Sequence, residues 1–154
     1  MRTSLSRRFG SVLVLAVATT AAHAASPGSP TGLLVDLKRS PSLGVRAKPA
    51  FSWIVPACSA AAAADHVQTA YQIVVSAAAS VGGTSKPVWD SGKVLSNVST
   101  YVECGQALAN GARFTWTVTT WTATTTSSGR DMAPCQSSPS EPGLLITSLD
   151  EGSA

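Results

Sequence analysis

Three short segments, each with a large aromatic residue beside a turn former or a second aromatic residue, most constrain the fold of this chain. They are residues 49–53 (PAFSW), 89–94 (WDSGKV) and 114–118 (FTWTV). In the last segment Phe114, Trp116 and Val118 alternate with threonines, which gives a strand one apolar face and one β-branched polar face. About seven such short runs, separated by turn residues, predict an all-β, two-sheet Greek-key sandwich with almost no helix.

The N-terminus has the pattern of a secretory signal peptide. Three arginines among the first eight residues precede an apolar stretch over residues 9–22, and Ala22-His23-Ala24 forms a small-x-small cleavage site. The stretch is too short to span a bilayer, and its continuous run of Val, Leu and Ala disfavours an amphipathic transit peptide. Residues 1–24 therefore predict cleavage and secretion.

The rest of the chain is one domain's worth of sequence. We expect a linker at residues 25–32, a sandwich domain over 33–121 that residues 143–147 could close as a last strand, and a Thr/Ser/Pro-rich loop and tail over 122–154. The alanine run at residues 60–64 is interpreted as a loop insertion.

The charge balance changes once the signal segment is set aside. Three of the eleven Lys and Arg residues lie in residues 1–24, which leaves eight basic against eight acidic residues. No basic patch remains, so neither nucleic acid nor an anionic membrane surface is an expected partner.

The side chains that usually carry chemistry are few and dispersed. Cys58, Cys104 and Cys135 lack metal-ligand spacing, and their disulfide pairing stays open. His66 is placed in a polar loop, and Asp36 in the middle of a strand. Asp90 follows Trp89 at a turn, where a carboxylate usually bonds backbone amides. No two carboxylates share a sequence context, so no catalytic residue, metal ligand or cofactor site is predicted.

A leucine and an aromatic residue bracket a turn in the second half of the chain. Leu108 stands six residues before Phe114, with Asn110-Gly111 as the turn. This arrangement resembles the entry to the sixth strand of fibronectin type III domains, where a tyrosine hydroxyl bonds back to the backbone. Phe114 keeps the packing but loses that bond, which is worth about 1 kcal/mol.

Five motifs in order resemble the opening, fibronectin type III-like domain of bacterial-type α-L-rhamnosidases of glycoside hydrolase family 78. They cover most of residues 30–121 and are residues 30–36 (PTGLLVD), 49–53 (PAFSW), 68–75 (QTAYQIVV), 88–94 (VWDSGKV) and 114–118 (FTWTV). The resemblance implies hydrolysis of terminal α-L-rhamnose with inversion, by a general acid and a general base on a separate (α/α)₆ barrel. That barrel would be the partner of this domain, and the present chain alone is expected to be an inactive, non-catalytic module.

The alternative is a free-standing secreted β-sandwich that binds carbohydrate, with rhamnose-containing glycans as a candidate partner, or another protein. Trp121 and Trp89 would then be the sugar-stacking candidates, although packing in the core or on a sheet face is the favoured interpretation for strand tryptophans. Trp121 is out of phase with Phe114, Trp116 and Val118 and is expected on the opposite face. Asn97-Val98-Ser99 is an N-x-S sequon, which indicates either a glycosylation site on a surface turn or an ordinary exposed asparagine.

Overall fold

The computed structural model describes residues 28–57, 66–78, 85–124 and 135–149, and within these ranges the chain forms strands and loops without any helix. In chain order the strands are β1 (Thr31–Val35), β2 (Lys38–Arg39), β3 (Ser42–Val45), β4 (Ala50–Ile54), β5 (His66–Ala77), β6 (Pro87–Asp90), β7 (Val94–Leu95), β8 (Val102–Glu103), β9 (Arg113–Thr124), β10 (Cys135–Gln136) and β11 (Gly143–Thr147). The prediction of an all-β fold is confirmed.

The strands form two sheets. The smaller sheet has the order β2-β1-β4-β8, and the larger has the order β3-β11-β9-β5-β6, with β7 paired to β5 and β10 paired to β9. The two longest strands, β5 and β9, pair antiparallel from His66 opposite Thr124 to Ala77 opposite Phe114, with a register shift between Gln68 and Ala70. β11 pairs antiparallel with β9 and parallel with β3, so it lies inside the larger sheet.

The core lies between the sheets and contains side chains from both. The smaller sheet contributes Phe51 and Trp53, and the larger contributes Ile73, Trp116 and others. The Phe51 ring lies 4.6 Å from that of Trp116, centroid to centroid, and Trp53 meets Tyr71 edge-on at 5.2 Å. The period-two alternation of apolar residues that predicted the strands is therefore what fills the interior.

The corner around residues 108–114 packs as its sequence predicted. Leu108 and Phe114 are both buried in the core cluster, and Gly111 adopts a left-handed φ of 63° between them. The backbone near the turn is bonded by a different hydroxyl, because Thr147 Oγ1 donates to the Ala109 carbonyl (2.7 Å) and accepts from the Ala112 amide (3.0 Å). A threonine of the last described strand thus bonds the backbone of this corner.

Several boundaries differ from those expected. β1 begins at Thr31, inside the expected linker, and ends at Val35, so the prediction of Asp36 in mid-strand is wrong: Asp36 occupies the turn between β1 and β2 with a φ of 48°. His66 begins β5 instead of lying in a loop. β9 continues to Thr124, beyond the expected end of the sandwich at residue 121.

Part of the Ser/Pro-rich interval is bonded to the larger sheet. Ser137 donates its amide to the Thr120 carbonyl (2.8 Å), and its hydroxyl accepts from the Thr120 amide (2.9 Å). Ser140 makes the same reciprocal pair with Val118, at 2.9 and 3.1 Å. In each pair the serine hydroxyl accepts the bond that a backbone carbonyl would accept in a regular strand. The polar composition of this interval did not predict that it pairs with the sheet.

The cysteines are not equivalent. Cys135 is disulfide-bonded, whereas Cys104 is buried and free. Cys58 and the alanine run at residues 60–64 lie outside the described residues, as does the expected signal peptide over residues 1–24.

Candidate functional site

Trp89 serves the core. It lies on β6 opposite Val75 of β5, and its ring stacks on Phe51 with centroids 6.2 Å apart and planes within 11°. Gly105 also lies close to the ring, since a Cβ there would stand 3.2 Å from the indole Nε1. Trp89 is half-buried and packs against the core cluster, which agrees with the packing role favoured for it.

Trp121 lies on the outer face of the larger sheet. Its neighbours Thr120 and Thr122 are buried, while Trp121 itself is half-buried, so it faces away from Phe114, Trp116 and Val118. The Lys93 ammonium lies 4.3 Å from the ring centroid, within the range of a cation–π interaction. The two tryptophans proposed for sugar stacking thus lie on opposite faces of one sheet and do not form a shared platform.

The Trp-Asp-Ser-Gly turn uses its polar side chains to close the end of β6. Asp90 Oδ1 accepts from the Gly92 amide at 2.8 Å, and both carboxylate oxygens accept from Gln72 Nε2 at 2.9 and 3.0 Å. Ser91 Oγ accepts from the Ile73 amide (2.9 Å) and donates to the Gly92 carbonyl (2.8 Å). Asp90 therefore bonds a backbone amide, as its turn position predicted.

Two carboxylates, one in the turn after β1 and one at the end of β8, meet the same guanidinium. Arg46 Nε donates to Asp36 Oδ1 at 3.1 Å, and its Nη2 lies 3.6 Å from Glu103 Oε1 and 3.2 Å from the Tyr101 hydroxyl. Desolvation lowers the pKa of Arg46, but Asp36, Tyr101 and Glu103 raise it by more, so this pKa lies above its ordinary value. Sequence reasoning missed this group because its members are far apart in the chain.

The Asp36 carboxylate also binds the backbone. Asp36 Oδ1 also accepts from the Ala50 amide at 2.9 Å, so one oxygen of that carboxylate has two donors within the chain. An inverting glycosidase needs a carboxyl group held protonated and a second one free to activate water across the sugar. Asp36 and Glu103 instead both contact the permanently charged guanidinium of Arg46.

A buried glutamine links the two sheets and the loop after β7. Gln68 Oε1 accepts from Trp53 Nε1 at 2.9 Å, while Gln68 Nε2 donates to the carbonyls of Ser96 (3.1 Å) and Val98 (2.8 Å). No sequence signal singled it out, because the same strand also carries Thr69 and Gln72. The loop that it holds presents Asn97, which is exposed.

A groove in the described part of the chain lies along β1 and β4. Its volume is about 630 Å³, and its lining includes Leu34, Ser52, Ile54 and residues 141–143. Trp53 contributes to its lining but is only 3% exposed, so the groove has no aromatic platform. Within the described ranges no three His, Cys, Asp or Glu side chains are grouped to hold a metal ion, and no helix is long and apolar enough to cross a membrane.

Comparisons with known proteins agree on one family. The family profile described as "Rha78A-like, N-terminal immunoglobulin domain" matches residues 30–135. Similar solved structures include the α-L-rhamnosidase from Dictyoglumus thermophilum (28% identity, TM-score 0.58) and that from Streptomyces avermitilis, solved with L-rhamnose (31% identity, TM-score 0.58). The enzyme from Aspergillus terreus, at 20% identity and a TM-score of 0.53, shares the fold. A comparison with curated protein sequences finds no match.

The coverage of these matches is asymmetric. They include 79%, 78% and 80% of the present chain but only 12%, 10% and 12% of the three rhamnosidases, respectively. What resembles those enzymes is therefore a single domain-sized part of each. The chain belongs to the Rha78A-like N-terminal immunoglobulin domain family.

Proposed function

We propose that this chain acts as the N-terminal, non-catalytic β-sandwich module of a secreted α-L-rhamnosidase. The observation that carries this proposal is the match to two α-L-rhamnosidases at 28% and 31% identity, each of which contains the domain as about a tenth of its length. Its partner is a catalytic domain of the same enzyme, which the resemblance to family 78 identifies as an (α/α)₆ barrel.

The chemistry of the described residues supports a structural role. Asp36 and Glu103 contact Arg46, and Asp90 accepts hydrogen bonds that close the turn after β6. Each of these carboxylates thus has a partner within the fold, and one guanidinium, that of Arg46, contacts both Asp36 and Glu103. Catalysis of glycoside hydrolysis needs two carboxyl groups about 5–10 Å apart on either side of the scissile bond.

Secretion is supported by two features. Residues 1–24 have the signal-peptide pattern, and Cys135 is disulfide-bonded, which is typical of proteins that fold in an oxidising compartment.

A direct activity assay tests the non-catalytic role. The purified chain is incubated with an aryl α-L-rhamnoside, and release of the aryl group is followed beside a known rhamnosidase as a positive control. We expect no turnover by this chain alone, and hydrolysis that co-purifies with it would contradict the proposal.

Sequencing the transcript 3′ of the Ala154 codon tests whether the chain is part of a longer enzyme. We expect further coding sequence that includes a carboxylate pair. An immediate stop codon in an abundant transcript favours a free-standing module.

Glycan binding is a second candidate, favoured by the outward position of Trp121. An indole face can stack on the C–H surface of a sugar, but here the Lys93 ammonium lies over the ring and would have to be displaced or shared. The test is titration of the purified chain with rhamnose-containing oligosaccharides while tryptophan fluorescence is recorded. A saturable change that Trp121→Ala abolishes and Trp89→Phe retains supports binding, and no saturable change excludes it.

A further inference from the structure

In the loop between β7 and β8, the backbone is hydrogen-bonded on both sides of Asn97. Gln68 Nε2 donates to the carbonyls of both neighbours, Ser96 and Val98, and Ser96 Oγ accepts from the Val98 amide at 3.1 Å. The Ser99 carbonyl then accepts from the Trp53 amide at 2.9 Å. The residues flanking Asn97 are thus bonded to the sandwich by side chains and backbone together.

The Asn97 side chain is the part of this loop that the fold does not use. It is exposed, and no hydrogen bond joins it to any residue in the described part of the chain. A group attached to its amide would therefore displace no packing and break no internal bond. The folded structure can therefore accommodate a glycan on the sequon at residues 97–99.

Two exposed apolar side chains flank the same tip. Leu95 is 82% exposed, the highest value among the large apolar residues that the structure describes, and Val98 is 48% exposed. Each sits within two residues of Asn97. A sugar has an apolar C–H face as well as hydroxyl groups, so a glycan on Asn97 could lie over these side chains and remove apolar area from water.

We propose that Asn97 is an acceptor for an N-linked glycan when the chain passes through a eukaryotic secretory pathway. In the transfer, Asn97 Nδ2 forms a bond to the anomeric carbon of an oligosaccharide carried on a lipid pyrophosphate. The bond from that carbon to the pyrophosphate oxygen breaks, the lipid pyrophosphate leaves, and the amide gives up one proton. Transfer depends on the sequon at residues 97–99 and on entry into the pathway, so it is independent of whether the chain forms part of a rhamnosidase.

The test is secretion of the full chain from a eukaryotic host, with the secreted and the translocated intracellular fractions analysed together. We expect one band that moves to higher mobility after treatment with peptide:N-glycosidase, an enzyme that converts the Asn97 side chain to a carboxylate. Asn97→Gln and Ser99→Ala should each abolish the shift, and Ser99→Thr should retain it. Asn110→Gln is the matched control, because Asn110 is also exposed but stands outside any sequon.

Two results would overturn the proposal. One is a translocated chain with no mobility change after the enzyme treatment. The other is a shift that persists in Asn97→Gln, which would place the glycan elsewhere. Misfolding does not explain a loss of the shift, because the Asn97 side chain has no internal partner and Asn97→Gln should melt at the temperature of the unglycosylated wild type.

Discussion

Replacing Gln68 with leucine should destabilise the protein far more than the same replacement at Gln72 on the same strand. Gln68 is buried and serves three partners: the Trp53 indole N–H and the carbonyls of Ser96 and Val98. Leucine has a similar size but no polar atom. Gln68→Leu therefore leaves all three partners without their bond while largely preserving the volume of the side chain.

The three losses differ in size because the partners differ in access to water. Trp53 is only 3% exposed, so its indole N–H stays without an acceptor, which costs about 1–3 kcal/mol. The carbonyls of Ser96 and Val98 lie on a surface loop and can turn to water, at about 0.5–1.5 kcal/mol each. Burial of the leucine offsets about 1 kcal/mol. The net loss is about 1–5 kcal/mol, and at ~4 °C per kcal/mol the midpoint of thermal unfolding should fall by about 4–20 °C.

Thermal and urea unfolding followed by circular dichroism measure this loss. Gln72→Leu is the matched control, because Gln72 bonds only Asp90, an exposed residue that also accepts from the Gly92 amide. We expect the control to lose less than about 1 kcal/mol. Equal losses in the two variants would show that the buried bond to Trp53 contributes nothing particular, and the reasoning would be refuted.

Three other changes test separate features. Gly143→Ala would bring a Cβ to 2.5 Å from Trp116 Nε1, so it should lower the free energy of unfolding by about 1–3 kcal/mol in urea titrations; no loss would show that the core accommodates the methyl group. Leu37 has a φ of 61° and is 70% exposed, so Leu37→Gly should relieve left-handed strain and raise the unfolding free energy by up to about 1 kcal/mol, whereas Leu37→Ala should not; equal effects would contradict this. Burial raises the pKa of the Cys104 thiol, a shift that a backbone bond and Lys48 only partly oppose. Because the unfolded chain then releases the thiol proton first, the wild type should lose stability relative to Cys104→Ala as pH rises above about 8.5, and a difference that stays constant to higher pH would contradict the shift.

The parts of the fold that sequence predicts well are those that depend on local alternation. Phe114, Trp116 and Val118 repeat every second residue, and a strand necessarily directs all three to one face. The outward position of Trp121 follows from the same period. The ends of strands were predicted less well, because a turn such as Asp36-Leu37 adopts left-handed conformations that those residue types do not announce.

The hydrogen bonds around Arg46 and Gln68 were not predicted from the sequence, for a different reason. Arg46 and Tyr101 lie 55 residues apart in sequence, and Gln68 and Val98 lie 30 apart. Which polar side chain meets which depends on the register and packing of the two sheets, and these are long-range properties that no local pattern encodes. The prediction that no catalytic pair exists rested on the acids taken one at a time, whereas the structure shows what three of them bind: Asp36, Glu103 and Asp90.

The position of β11 has a consequence for how the protein is made. Leu144 donates its amide to Ser40 Oγ at 2.9 Å across 104 residues of sequence, and β11 pairs with both β3 and β9. During synthesis β3 and one edge of β9 must therefore wait for the last described strand to leave the ribosome. Until then that edge of β9 is an open template for other nascent chains, and such long-range pairing is intrinsically slow. Ribosome-bound chains that stop before residue 143 should accordingly be the species most dependent on chaperones.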